Sequence, residues 1–213
     1  MKAKDKIFQV KKTLNLRGNL VSLDTPAVMG ILNITPDSFY SLGRQNTEKE
    51  ILSAAENRLV EGALILDIGG YSSRPNAEDI STDIETDRIG KALALIVKEF
   101  PEAYIFSERV EKLRILGVKD IILDPGFGFA KTAKQSYEIL RNLDYFKGMR
   151  LPLLAGLSRK SMIYRTLDIS AEEALNGTTA LNMAALINGV SLLRVHDVKA
   201  AVETVQLYKA IYP

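Results

Sequence analysis

An α/β fold of the (β/α) barrel type is predicted by three features of the sequence: apolar runs that break into Gly-rich or charged residues, helix-period segments between them, and short connections. The runs are VMGILNITPDSF at 28–39, ALILDIGGYSSRP at 63–75, DIILDPGFGFAK at 120–131, LPLLAGLSRKS at 151–161 and LLRVHDV at 192–198. Strands of a parallel sheet are covered on both faces, so they read as continuous apolar runs rather than alternating ones. The polar residues that end each run then fall at the carboxyl ends of strands, where α/β proteins keep their sites.

The elements follow in order. Residues 1–24 hold a tail and a β-hairpin, with 7–16 and 20–23 alternating around Arg17, Gly18 and Asn19. Strand 27–33 leads to a helix over 47–61 that buries Ile51, Ala55 and Leu59, with Thr47 and Glu50 spaced as a capping box and Gly62 as its stop. Strand 63–68 precedes a helix over 83–99, capped by Ser81 and Thr82, that carries Ile84, Ile89, Leu93, Ile96 and Val97 on one side. A weak strand at 102–105 is followed by a helix over 106–116 that stops at Gly117. Strand 120–124, helix 134–143, strand 151–156, helix 171–188 with Gly189 beyond it, strand 191–196 and helix 198–211 complete the order. Six inner strands are two or three short of the eight that a closed barrel needs.

Composition bounds the function. With 213 residues, 46% hydrophobic and 25% charged, the chain suits one globular domain, 1–213, with a substantial core. A net charge of +2 without a long Lys/Arg run leaves no nucleic-acid footprint. The absence of cysteine excludes a disulfide framework, a thiolate nucleophile and a Cys-based metal site, and one histidine argues against a multi-histidine centre. No signal-peptide core and no 18-residue apolar stretch is present, so a cytoplasmic protein with no membrane partner is expected.

The strand ends carry the candidate chemistry. Asn33, with Thr35, Pro36 and Asp37 after it, can reach an anion, a metal or a substrate edge, or simply bond its own backbone in a turn. Gly69 and Gly70 permit close backbone approach, while Ser72, Ser73 and the planar fork of Arg74 suit a phosphate or carboxylate, with Pro75 stiffening the exit. Asp124 ends a buried run as an acceptor for amide-like donors, or as a helix cap. The GFGFAKT after it is not a phosphate-binding P-loop, because Ala130 stands where Gly should precede Lys131 and the glycine spacing is wrong. Ser158, Arg159, Lys160 and Ser161 form a cationic turn at the start of a helix, and Arg194 and the sole histidine, His196, lie two apart on one strand and so share a face. The cations of these last two segments point to an anion.

The segments GILNITPDSF, DIGGYSSRP, ILDPGFGFAKT, GLSRKS and RVHDV, in this order and setting, resemble dihydropteroate synthases over nearly the whole chain from residue 27 on. The resemblance implies a TIM barrel that joins 7,8-dihydropterin-6-ylmethyl diphosphate to p-aminobenzoate, releasing diphosphate and giving a folate precursor. It also implies a homodimer and Mg²⁺. Carried over by motif, Asn33 would ligate Mg²⁺ and diphosphate, and Ser73, Arg74, Arg194 and His196 would hold diphosphate oxygens. Asp124 and Lys160 would meet the pterin ring, and Lys160 and Ser158, with Phe129 and Pro75, would shape the p-aminobenzoate side where sulfonamides compete. Gly156 belongs to the same substrate-binding segment, and Asn33, Lys160, Arg194 and His196 form the catalytic set.

The chain also departs from the family. After EAYI, family members complete a third strand with a Ser-(Val/Ile)-Asp-Thr motif, then carry Asn-Asp on the fourth strand and Met-His on the fifth, whereas here Ile105 runs straight into FSERVEKL. About three strands, on the order of 60 residues, are absent by this count, and the lost Asp and Asn are pterin anchors in the family. Strand edges that are exposed or paired by dimerisation, and poor stability or rearrangement, are expected to follow. Two other readings stand beside the leading one. One is an inactive remnant that retains a diphosphate subsite. The other is a pterin-binding methyltransferase-type barrel, against which the cations of SRKS and RVHD weigh, since a methyl donor without diphosphate has little use for them.

Overall fold

The computed structural model describes residues 12–16, 18–34, 44–69, 82–106, 122–128, 131–149 and 151–213. In chain order the elements are β1 (Thr13–Leu16), β2 (Asn19–Ser22), β3 (Ala27–Asn33), α1 (Arg44–Val60), β4 (Ile65–Gly69), α2 (Thr82–Glu99) and β5 (Tyr104–Phe106). They continue with α3 (Ala133–Arg141), a 3₁₀ helix (Leu143–Met149), β6 (Leu154–Ala155), α4 (Ser161–Leu167), α5 (Leu175–Ile187), β7 (Leu192–Val195) and α6 (Val198–Ile211). The chain divides into two compact units, Met29–Val118 and Met1–Val28 with Lys119–Pro213.

In the first unit β4 is the middle of three parallel strands. β3 pairs with it from Met29 opposite Ile65 to Asn33 opposite Gly69, and β5 pairs with it from Tyr104 opposite Ile65 to Phe106 opposite Asp67. Leu32, Ile34, Leu66 and Ile68 pack with Ile51 and Ala55 of α1 and with Ile89, Ala92 and Ile96 of α2. Each such fully buried aliphatic side chain contributes about 1.5–3 kcal/mol. α1 begins at Arg44, so Thr47 and Glu50 lie inside it rather than at its cap; Arg and Gln are good helix formers and extend the helix a turn earlier. Its far end is as expected: Gly62 takes φ 101°, Ala63 N–H donates to the Arg58 carbonyl and Gly62 N–H to that of Leu59, closing a Schellman motif. Val97, expected on the buried side of α2, is exposed, because the buried stripe runs through Ile89, Ala92 and Ile96. Phe106 closes β5 instead of opening a helix, and the remainder of the expected 106–116 helix lies outside the described residues.

In the second unit β1 and β2 form the expected hairpin, with Thr13 opposite Ser22, Leu16 opposite Asn19 and Gly18 at φ 89° in the turn. β6 and β7 are parallel, with Leu154 opposite Leu192 and Ala155 opposite Leu193, and Leu123 bridges in parallel to Leu153. The expected strands 120–124 and 151–156 thus appear as a bridge and a two-residue strand; Pro152 has no N–H to donate and supports the ladder only through its carbonyl, which accepts from Leu123. Thr132 and Gln135 make a full capping box at the start of α3, a T-x-x-Q signature the sequence reading passed over. α5 starts at Leu175, later than the expected 171: Ser170 and Glu173 make the capping-box pair that would start a helix there, but the Arg159 guanidinium takes the carbonyls of Ala171 and Glu172 and these residues stay in a turn. Gly189, at φ 96°, ends α5, and α6 spans the expected 198–211. All six expected inner runs take part in parallel pairing, which makes the fold α/β with parallel strands and helices between them.

Candidate functional site

Continuing the β6–β7 register by one and three residues sets Gly156 beside Arg194 and Ser158 beside His196. The side chains agree. A Cβ placed on Gly156 would lie 3.9 Å from Cδ of Arg194, at van der Waals contact with the arginine stem. Ser158 Oγ lies 3.0 Å from His196 Nδ1 and accepts from the His196 backbone N–H at 3.2 Å. Ser158 is buried, whereas His196 is exposed and sits one residue beyond the end of β7.

Lys160 reaches a second turn. Gly128 has φ +79°, and a Cβ there would meet Lys160 Cδ at 3.2 Å and Nζ at 3.7 Å, so the lysine lies against bare backbone. That turn is anchored by the fully buried Phe127 and begins at the exposed Asp124, whose Oδ1 accepts from Gly126 N–H at 2.8 Å. Lys131 closes it from the far side, donating to the Gly126 carbonyl at 3.0 Å. Arg194 within β7, and Asp124, Gly156, Ser158, Lys160 and His196 beyond the paired residues, thus all stand at the carboxyl ends of neighbouring strands of one unit.

Arg159 departs from the cationic turn expected of it. Its Nε and Nη2 each donate to an oxygen of Asp197 at 2.9 Å, and its Nη1 donates to the carbonyls of Ala171 and Glu172. The hydrogen bond to Asp197 raises the guanidinium above its ordinary pKa. The cause of the split is backbone: Arg159 has φ 53°, and this left-handed turn sends consecutive side chains in different directions. Asp197 went unnoticed in the sequence, although an acidic residue directly after RVH was its signal.

In the other unit Asn33 ends β3 opposite Gly69, half-buried, and Ile34 N–H donates to the Gly69 carbonyl at 2.7 Å. Asp67, in the middle of β4, is 2% exposed, a buried carboxylate inside an apolar run that sequence reasoning did not single out. Ser73, Arg74, Pro75 and Phe129 lie outside the described residues. Among the described residues no group of three or more His, Cys, Asp or Glu could cage a metal ion. An Asn oxygen is nevertheless the hard donor that Mg²⁺ accepts, and Mg²⁺ commonly takes only one or two protein oxygens and completes its shell with water and substrate phosphate. The donor set therefore fits a substrate-borne ion. Among the described residues no helix is long and apolar enough to cross a membrane.

The sequence profile of the family described as pterin binding enzyme matches residues 29–106 and 103–196, two stretches that meet where Ile105 passes to Phe106. A dihydropteroate synthase of Escherichia coli (strain K12) is 29% identical over 266 residues, covering 91% of this chain and 94% of its own. That alignment is 266 positions long against 213 residues here, so at least 53 of its positions have no residue in this chain. A dihydropteroate synthase of Bacillus subtilis (strain 168) is 31% identical over 250 residues, covering 86% of this chain and 88% of its own. The structure of the Xanthomonas albilineans dihydropteroate synthase with 4-aminobenzoic acid is 26% identical, with a TM-score of 0.81, covering 94% of this chain and 98% of its own.

Proposed function

This chain belongs to the pterin binding enzyme family, and from that membership we propose that it acts as a dihydropteroate synthase, condensing 7,8-dihydropterin-6-ylmethyl diphosphate with p-aminobenzoate. The observation that carries the reading is the row of donors on neighbouring strand ends, Arg194 beside Gly156 and His196 beside Ser158, with Lys160 on the adjoining turn. Cations and N–H donors held in fixed places suit an anion whose charge grows during reaction.

In the reaction the bond between the pterin methylene carbon and the diphosphate oxygen breaks, and its electron pair leaves with the diphosphate. The lone pair of the aryl amine forms the new C–N bond, and the amine then sheds a proton. Arg194, His196, Ser73 and Arg74 hold the leaving oxygens, and no protein nucleophile takes part. Asp124 accepts from the amide-like edge of the pterin through Oδ2, because Oδ1 already serves Gly126. Lys160 faces the same ring, while Ser158, Phe129 and Pro75 shape the p-aminobenzoate side, at which sulfonamides would compete. Mg²⁺, when bound, would neutralise diphosphate charge, with Asn33 as its protein ligand. A cytoplasmic homodimer is the setting that goes with this reading.

Arg194→Ala tests the assignment. It is expected to lower kcat/KM for the pterin diphosphate by about 10²–10³-fold with the KM for p-aminobenzoate unchanged. An equal rise in both KM values, or no change in either, contradicts the role given to Arg194.

A further inference from the structure

Two rungs join the turn after β6 to the turn after β7. One is the Ser158–His196 contact, and the other is the fork of Arg159 on Asp197. The second rung is held against two local preferences. Asp is among the best N-cap residues, and Asp197 is the N-cap of α6, yet its side chain makes no cap bond. Arg159 occupies φ 53°, a left-handed conformation that a non-glycine residue holds only where its surroundings impose it. Those surroundings are visible: Arg159 N–H donates to Thr178 Oγ1 at 3.0 Å and Nη1 to the Ala171 carbonyl at 3.0 Å. Both members of the pair are three-quarters buried.

Its neighbours give the pair its meaning. Ser158 and Lys160 flank Arg159, and His196 directly precedes Asp197. A guanidinium locked to both oxygens of one carboxylate fixes distance and orientation together, so it fixes Lys160 relative to His196. We propose that Arg159 and Asp197 are positioning residues, a clamp that fixes His196, through Asp197, against the turn after β6 and thereby sets the affinity for diphosphate. The inference rests on the functional reading above and adds two residues which that reading leaves out.

Inorganic diphosphate binding, followed by calorimetry on the full chain, tests it with Asp197→Ser, Arg159→Lys and the double variant. Serine caps a helix as well as aspartate does, so Asp197→Ser should keep Tm within about 2 °C of the parent while losing the fork. Each single variant is expected to weaken diphosphate binding roughly tenfold, and the double variant no more than the worse single, as for two halves of one device. In turnover the KM for the pterin diphosphate should rise in step, whereas partial unfolding would scale kcat alone. Unchanged diphosphate affinity in either single variant, losses that multiply in the double, or no diphosphate binding by the parent overturns the clamp. A parent that binds diphosphate but yields no dihydropteroate overturns the functional reading instead, and the binding series still decides the clamp.

Discussion

Gly128 shows how much one absent methyl group settles. Its φ of +79° is a conformation that side chains resist, and the space a Cβ would take is 3.2 Å from the Lys160 stem. Gly128→Ala should cost about 1–2 kcal/mol in backbone strain and displace Lys160, raising the KM for the pterin diphosphate several-fold. Urea unfolding and steady-state kinetics on the same preparation check both halves, and an unchanged KM would remove Lys160 from the site. At this scale legibility followed chemistry that depends on register. Arg194 and His196 were readable as neighbours from the alternation of a strand, and Ser158 from the short polar segment after an apolar run. Arg159 was not, because a sequence displays its charge but not the left-handed backbone that turns it onto Asp197. Asp67 was missed for a related reason, since its burial in the middle of β4 is a property of the packed strand and not of the residue type.

The elements were legible where a side chain stops or starts them locally. Gly62 and Gly189 end their helices in Schellman motifs as the sequence indicates, and the T-x-x-Q of Thr132 to Gln135 could have placed α3 to the residue. Thr132→Ala should lower stability by about 1 kcal/mol, read as a lower urea midpoint with an unchanged slope. The late start of α5 was less visible, because it depends on Arg159, distant in sequence, taking the carbonyls of Ala171 and Glu172. Ser170 donates its backbone N–H to the Glu173 carboxylate, and this bond together with the Ser170 side chain holds Glu173 below the usual carboxylate range. A lowered folded pKa stabilises fully above the unfolded value, near about 4.3 for Glu, and its contribution vanishes as pH falls through the lowered value. The Tm difference between the parent and Glu173→Gln should therefore be present at pH 6 and disappear on acidification toward pH 3. A difference that grows on acidification would contradict the assigned bond.

For the molecule as a whole, the order of the motifs was the strongest signal, since each falls on the carboxyl end of a successive strand. The profile of the family is matched in two stretches meeting at 103–106, and the Asp and Asn that the resemblance leads one to expect on a third and a fourth strand have no counterpart in the passage from Ile105 to Phe106. Of the residues assigned to diphosphate, Arg194 stands on β7 and His196 directly after it. Local pattern could not reveal the division into two units, because it depends on contacts between residues far apart in sequence. The most direct test of the account is product formation by the purified 213-residue chain, its mass of 23.6 kDa verified. Supplied with the pterin diphosphate, p-aminobenzoate and Mg²⁺, it should release diphosphate and form dihydropteroate in equal amounts, and neither when p-aminobenzoate is withheld. Diphosphate bound without dihydropteroate formed, in a folded chain of that mass, would contradict it.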